Sequence, residues 1–533
     1  MENVQVLDCT LRDGGYLLDK KFGDKNIHGI VDGLIETRID IIEIGFLQND
    51  GFGEGKTVFL NSKDAEAYIP LERNKSIFTA FADCSRYDIN NLDDRTGRSF
   101  DAVRECFYKW EQDDAIENCK KINEKGYLCF VQPVDVLGYT DKELIELIEK
   151  INMVEVYCFS IVDTFGSMYE DDLNRIFSLV HNNLRPDCKI GFHSHNNLQM
   201  SSALSQKFIS LAQGKREIIV DTTISGMGRG AGNTPTELIT QYLIEKFHAS
   251  YEMDALLDVI DNYMRNIRSQ AEWGYNTDFY LAGVYSAHVN NISYLLKKNS
   301  IRAKDLRYIL NKVDIKKRKR YDYDLLDQIY CDYVETDIDD SLAIRDLKEM
   351  LSHKKIAVIA AGKSVDEEQE KINQYIEDQN AIVISINGLY KDVKTDFIYI
   401  SNAKRYKSWN YDLSSTPCIM TSNIKTVADK DYEFIVSLRR LIKCGWENMD
   451  NSLILLLRLL NELDVESIGI AGFDGYELNH NYAIESMEYH ITTNDVIRIN
   501  SELEDMFVDF LKNKKKELKV EFITKSRFER WVD

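Results

Sequence analysis

Short apolar runs enriched in β-branched and aromatic residues recur through the first 226 residues, and each gives way to a longer amphipathic or polar stretch of helical character. Eight such runs stand out: Val4 to Cys9, Ile39 to Phe46, Ser76 to Ala82, Ala102 to Phe107, Tyr127 to Pro133, Val154 to Val162, Lys189 to His195 and Glu217 to Ser225. Strands alternating with helices imply right-handed parallel βαβ units, and eight of them in about 250 residues predict a closed (β/α)₈ barrel. An open doubly wound sheet is the alternative. Polar and ionisable residues at the carboxyl end of most runs favour the barrel, which gathers its site around one axis at that end.

From about Pro235 to Met350 the strand signal fades and helical patterns take over, at Thr236 to His248, Met253 to Ser269, Gly283 to Lys297 and Ile338 to Leu351. After Lys354 alternation resumes at Ile356 to Ala360, Ala381 to Ile386, Phe397 to Ile400, Cys418 to Thr421, Glu433 to Val436 and Ser467 to Ala471. This predicts a second α/β domain with an open, Rossmann-like sheet. The expected organisation is a barrel over residues 1–245, a helical extension over 246–350 and an α/β domain without an assigned role over 351–533. There is no repeat of fixed period, and with only five prolines in the chain no Pro-rich linker separates the parts.

The 533 residues are 44% hydrophobic and 29% charged, a soluble composition with length for several cores. A net charge of -22 repels a phosphate backbone, and the one basic cluster, Lys316 to Arg320, is short and followed by acidic residues, so nucleic acid is not an expected partner. The longest aliphatic run, Leu453 to Leu460, is broken by Arg458 and falls far below the ~20 residues that span a bilayer. Met1 to Val4 lead into a polar segment without the apolar core of a signal peptide, so a cytoplasmic protein and no membrane partner are expected, as is a homo-oligomer. Ten cysteines are spread singly, without zinc or CxxC spacing, and read as reduced core residues; Cys9 lies beside the site described next.

His193-Ser194-His195-Asn196-Asn197 ends the seventh run, and residues two apart on a strand share a face, so both imidazoles would enter the barrel mouth. Neutral imidazole suits divalent transition metals, and a site with one added carboxylate and open positions suits a metal that also grips substrate. The first run ends Leu7-Asp8-Cys9-Thr10-Leu11-Arg12-Asp13-Gly14-Gly15-Tyr16, supplying that carboxylate together with an arginine. Strand alternation would aim Arg12 and Asp13 in different directions, one toward metal and one toward a neighbouring oxygen. Glu43, inside the apolar run Ile41-Ile42-Glu43-Ile44-Gly45, is costly to bury unpaired, and Arg12 is its expected partner. The strand ends carry no lysine placed for a Schiff base.

These residues resemble the metal-dependent barrel lyases and Claisen-type synthases of the DRE-TIM metallolyase superfamily, which includes enzymes similar to HMG-CoA lyase, and above all the 4-hydroxy-2-oxovalerate aldolase branch. The resemblance covers roughly residues 1–300. It rests on Thr10 to Gly14, Glu43, Gly191 to Asn197 and the loop Gly226-Met227-Gly228-Arg229-Gly230-Ala231-Gly232-Asn233. It implies that Asp13, His193 and His195 hold Mn²⁺ or Mg²⁺, with Asn233 a direct or water-mediated ligand, and that Arg12 faces a 2-oxo acid substrate. It also implies aldol or retro-aldol chemistry through a pyruvate enolate, with an aldehyde as the second product. The branch has a histidine general base three residues after the metal aspartate; here that position is Tyr16, with His28 and His288 as substitutes to consider. The segment Phe279 to His288 resembles the start of the branch's helical domain, with Tyr285 matching a tyrosine that approaches substrate. Two alternatives are an acyl-CoA-using Claisen synthase and a barrel that keeps the metal as a non-catalytic scaffold. In the carboxyl-terminal part, Gly362-Lys363-Ser364 lacks the earlier P-loop glycine, which is Ala357, and Gly472 to Tyr476 sits at another strand end. Turn chemistry accounts for both unless a ligand is shown.

Overall fold

The computed structural model describes residues 4–298, 301–334, 338–408, 416–425, 434–483 and 493–532. Its contacts cluster into two compact units, Met1–Val289 and Asn290–Asp533.

The first unit is the expected barrel. Its strands are β1 (Val4–Asp8), β2 (Ile41–Leu47), β3 (Ile77–Asp83), β4 (Ala102–Phe107), β5 (Leu128–Pro133), β6 (Cys158–Asp163), β7 (Lys189–Ser194) and β8 (Ile218–Thr222). All neighbours pair in parallel, and the sheet closes where β1 pairs with β8 (Val6 with Val220) and with β2 (Leu7 with Ile41). The covering helices form for ordinary reasons. Asp141–Ile151, for example, starts on a Thr140/Glu143 capping box and buries Leu144, Leu147, Ile148 and Ile151 at helical spacing.

Two connections depart from the alternating pattern. After β2 there is a two-residue strand, Val58–Phe59, and a single turn, Ser62–Ala65; after β3 only Ile89–Asn91 is helical. The glycines at 51, 53, 55 and 97 and the Asn61 and Asp88 caps favour turns there over long helices.

Inside the barrel the side chains stack in pleats. Leu7, Ile41, Ala102, Phe130, Cys158 and Ile219 form one apolar cluster. Two residues further along the same strands, and so on the same inner face, come Glu43, Arg104, Gln132, Ser160 and Asp221, each no more than 3% exposed. An ionised pleat therefore lies directly on an apolar one.

Past β8 the helices Thr236–Phe247 and Met253–Val259 follow, the latter running through a π turn, Ile260–Met264, into Arg265–Arg268. The expected helix over Gly283 to Lys297 is two helices, Thr277–Val284 and Val289–Leu296. Ser286 takes φ +46°, and the amides of Ser286 and Ala287 turn back to the carbonyls of Gly283 and Ala282, a left-handed termination that apolar periodicity does not reveal.

The second unit contains helices Ala303–Lys312, Tyr323–Val334 and Ser341–Leu351 and a seven-stranded parallel sheet. The strands are β9 (Lys355–Ile359), β10 (Ile382–Ile386), β11 (Phe397–Ile400), β12 (Cys418–Thr421), β13 (Phe434–Val436), β14 (Ser467–Ala471) and β15 (Lys519–Phe522), in the order β13-β12-β11-β10-β9-β14-β15. Glu433, placed at the start of one predicted run, lies outside the described residues. The edge strand β15 has no counterpart among the predicted runs, because four residues of alternating polarity leave a weak signal.

Candidate metal centre in the barrel mouth

Asp13 is the hub of the site. It does not sit on a strand: β1 ends at Asp8, and Thr10–Asp13 form one helical turn started by Asp8, whose carboxylate accepts from the Thr10 amide at 2.9 Å. Helical geometry, not the strand alternation expected from sequence, thus sets the directions of Arg12 and Asp13. The two side chains lie beside each other, Arg12 Nη1 3.5 Å from Asp13 Oδ1. Arg12 Nε donates to Glu43 Oε2 at 2.7 Å, and its guanidinium lies 4.6 Å from the Phe81 ring centroid.

Both imidazoles converge on the other carboxylate oxygen. His193 Nε2 is 3.4 Å and His195 Nε2 3.9 Å from Asp13 Oδ2, with the two rings near-perpendicular and 5.1 Å apart. Asn233 joins them, its Nδ2 donating to Asp13 Oδ2 at 2.9 Å. Potential ligand atoms of Cys9, Asp13 and His193 also lie within 4.8 Å of one another. The Cys9 thiol, pushed well up by burial, donates to the Thr222 carbonyl.

The glycine-rich loop after β8 brings Asn233 into place. A Cβ on Gly228 would stand 2.1 Å from Asn233 Nδ2, and Gly232, at φ +83°, leaves a Cβ only 1.9 Å from the Gly226 carbonyl.

A chain of buried ion pairs supports the hub. Glu43 Oε1 is 3.2 Å from Arg104 Nη1, Arg104 pairs closely with Asp221, and Asp221 Oδ2 is 3.0 Å from His193 Nδ1. With Nδ1 donating to Asp221, the His193 Nε2 is left facing Asp13, and in the neutral ring it would offer its lone pair to a cation there. Arg104 and Asp221 were not among the sequence candidates. The signal that singled out Glu43, an ionisable residue inside an apolar strand, applies equally to both.

The electrostatics suit a cation. Arg12 and Arg104 face Glu43, Asp13 and Asp221, all five buried, which leaves one negative charge in excess. Burial works against the Asp13 charge, but Arg12, His195 and His193 outweigh it and hold the carboxyl well below the usual range. Burial pushes His195 down to about 3, so its imidazole is neutral near pH 7. Burial also disfavours charge on His193, yet its bonds to Asp13 and Asp221 raise it, so a proton there would compete with any cation. Among the described residues, Asp13 Oδ1 and Asn233 Oδ1 are buried acceptors without a hydrogen-bond donor, which a bound cation would satisfy.

The remaining candidates lie around the mouth. Tyr16 packs edge-on against Phe46 at 5.1 Å, and Arg229 from the glycine-rich loop lies 4.0 Å from its ring centroid. Burial raises the Tyr16 phenol above its ordinary value, with Arg229 and Arg12 only partly offsetting it. Tyr285 is half-buried at the end of helix Thr277–Val284; Gly283 in that helix has backbone and side-chain atoms of Gly166 and Asn197 about 3.1 Å from where a Cβ would be, so the helix rests on the loops after β6 and β7. His288, on the same segment, is lowered to about 4 by burial and by Arg229. His28 is exposed on helix Asp24–Glu36 against Tyr68, away from the mouth.

The parallel eight-stranded barrel gathers this polar cluster at its C-terminal mouth, where barrel enzymes carry their active sites, and the similarities that follow are those of a lyase. Residues 3–262 match the family model described as HMGL-like, so the first half of the chain is an HMGL-like domain. The chain is 24% identical over 327 residues to a 4-hydroxy-2-oxovalerate aldolase of Pseudoalteromonas translucida, covering 57% of this chain and 89% of that one. It is 26% identical over 273 residues to an oxaloacetate decarboxylase of Mycobacterium tuberculosis, covering 50% and 78%. Among solved structures it is similar to the N-terminal domain of a putative aldolase from Bacteroides vulgatus, at 23% identity and TM-score 0.46 over 55% of this chain and 96% of that one. No helix among the described residues is long and apolar enough to cross a membrane.

Proposed function

We propose that the barrel is a divalent-metal-dependent carbon–carbon lyase that cleaves a 4-hydroxy-2-oxo acid to pyruvate and an aldehyde, with Mn²⁺ or Mg²⁺ held by Asp13, His193 and His195 and by Asn233 directly or through water. The observation that supports this best is the approach of both histidine Nε2 atoms to one oxygen of a buried aspartate that also neighbours Arg12. When bound, the cation would act as a Lewis acid toward the 2-oxo group.

The chain's own residues supply the rest. Arg12, locked by Glu43, presents a fixed positive charge where the enolate oxygen develops, and needs no reorganisation as it forms. In the cleavage a proton leaves the 4-hydroxyl and the C3–C4 electron pair passes into the 2-oxo group. The aldehyde departs, and the enolate takes a proton at C3 to become pyruvate. Tyr16, at the position where the resemblance puts a general base and held neutral by burial, would take the 4-hydroxyl proton while giving its own to solvent water at the mouth, rather than act as a preformed base. Tyr285 would close the mouth over the substrate.

The same neutral Tyr16 favours a second reading, decarboxylation of a 2-oxo diacid. That reaction makes the same enolate but releases CO₂ and requires no base at a hydroxyl.

The test is to strip the protein with chelator, restore Mn²⁺, and measure pyruvate from a panel of 4-hydroxy-2-oxo acids and from oxaloacetate. Metal-dependent pyruvate release is expected; none from any member would sink the proposal. Arg12→Ala should lower kcat by about 10²-fold or more while Mn²⁺ still binds.

A further inference from the structure

The glycine-rich loop after β8 sets a second arginine in the barrel mouth, Arg229. It is half-exposed, and its guanidinium lies 4.0 Å from the Tyr16 ring centroid. Among the described residues that guanidinium has no ion pair and no hydrogen-bond acceptor. Arg12, by contrast, is committed to Glu43 and Asp13. The carboxylates beside the aromatic groups of the mouth are engaged as well, Asp13 with Arg12 and the two imidazoles, and Asp83 with Arg86 at 3.5 Å. A guanidinium offers five N–H donors in a planar fork, and here they face solvent or a ligand.

The backbone on either side of Arg229 is held. The amide of Ala231 donates to Asn197 Oδ1 at 2.9 Å, and Gly230 turns at φ +66° with that same oxygen 2.6 Å from where a Cβ would be. On the other side Gly228 abuts Asn233. Burial dominates the titration of His195 after β7, Tyr16 after β1 and Tyr108 after β4, and the Arg229 charge acts on all three. Strands β8 and β4 stand on opposite sides of the ring, so a charge carried on the first and felt at the second overhangs the opening.

The consequence falls on the group carried by C4 of the substrate. In the lyase reading the 4-hydroxyl meets Tyr16, so whatever else C4 bears lies beside the ring on which Arg229 stacks. An alkyl group there would strip water from the guanidinium donors and return no hydrogen bond. A carboxylate would accept two parallel bonds from the fork, and its single negative charge would match the single positive one. The mouth thus discriminates by what it leaves unpaired as well as by what it pairs.

We propose that the barrel's substrate carries a second carboxylate, attached at C4 directly or through a short chain, and that Arg229 binds it. The substrate class rests on the lyase reading above, whereas the recognition of a 2-oxo diacid by the mouth does not. Cleavage of the C3–C4 bond then leaves the second carboxylate on the aldehyde. With 4-hydroxy-2-oxopentanedioate, for example, the 4-hydroxyl proton departs, C3 gains a proton, and the products are pyruvate and glyoxylate.

The test is calorimetric titration of the full-length, Mn²⁺-loaded protein with 2-oxopentanedioate and with 2-oxopentanoate, which share one carbon skeleton and differ in the terminal carboxylate. Neither has a 4-hydroxyl, so neither undergoes aldol cleavage and the comparison reads binding alone. The diacid is expected to bind about 10–100-fold tighter, and Arg229→Gln should shrink that gap to about threefold or less by weakening the diacid. If Arg229→Gln does not fold, Arg229→Lys, which keeps the charge but loses the fork, should bring the preference down by at least about threefold. In the pyruvate assay, 4-hydroxy-2-oxopentanedioate should exceed 4-hydroxy-2-oxopentanoate in kcat/KM by about tenfold or more, mainly through KM. Equal affinity for the two calorimetric probes in the parent, or a preference that Arg229→Gln leaves intact, would overturn the proposal even where pyruvate is released. A preference that Arg229→Gln removes, with no pyruvate from any substrate, upholds the diacid site and sinks the lyase reading alone.

Discussion

Asp221 offers the sharpest perturbation of the barrel site. One of its oxygens, Oδ2, receives both the His193 Nδ1–H at 3.0 Å and the Arg104 guanidinium, with Gln132 Nε2 at 3.4 Å, while Oδ1 is buried without a donor. Asp221→Asn can keep an oxygen in the first place and put its NH₂ in the second, so it removes the charge but preserves the His193 tautomer. Removing one partner of a buried ion pair costs about 3–5 kcal/mol, and Arg104 keeps Glu43, so a loss of about 3 kcal/mol is expected. Loss of such an outer partner lowers metal affinity by roughly 10–100-fold. Asn should fall near the low end, about tenfold. Asp221→Ala, which also frees the imidazole to rotate, should fall near the high end. Urea unfolding of the metal-free protein reads the first quantity, and Mn²⁺ competition against a fluorescent chelator reads the second. If both variants lose stability but bind Mn²⁺ as the parent does, Asp221 only neutralises Arg104, and the orienting role assigned to it is wrong.

Three further outcomes follow from the same geometry. Tyr16→Phe keeps the Arg229 and Phe46 contacts and deletes only the hydroxyl, so aldol cleavage should drop by about 10²-fold while decarboxylation of oxaloacetate changes less than about tenfold; equal losses in the two assays would refute the relay role. Gly228→Ala forces a Cβ to within 2.1 Å of Asn233 Nδ2, so a stability loss of about 1–3 kcal/mol with weaker Mn²⁺ binding is expected, and unchanged affinity would show that Asn233 does not support the cation. Burial raises Glu105 from 4.5 to about 8; the folded state holds its proton more tightly than the unfolded one, so its contribution to stability is complete below pH 4.5 and is lost as pH rises to about 8. Glu105→Gln should flatten that decline, which is bounded at roughly 5 kcal/mol, and urea unfolding from pH 4 to 9 with identical slopes in both proteins would contradict the assignment.

Much of the barrel could be read in the chain because each of its strands is a short apolar run with a polar end, and a strand buried on both faces leaves little room for another pattern. The hub residues were legible for the same reason, since His193 and His195 share a strand face whatever surrounds them. What escaped notice depends on partners distant in sequence. Arg104 acquires its role only when β4 faces Glu43 on β2 and Asp221 on β8, a juxtaposition that ring closure creates. The placement of Arg12 and Asp13 is not legible because nothing in Cys9 to Asp13 announces that the strand has stopped and a helical turn has begun. The break at Ser286 hides similarly, in backbone dihedrals that leave apolar spacing almost intact.

The apolar pleat beneath the ionised one makes the barrel a vessel with a single opening. A molecule bound at the charged layer would therefore approach it from the carboxyl side of the strands, with the apolar floor of the barrel at its back.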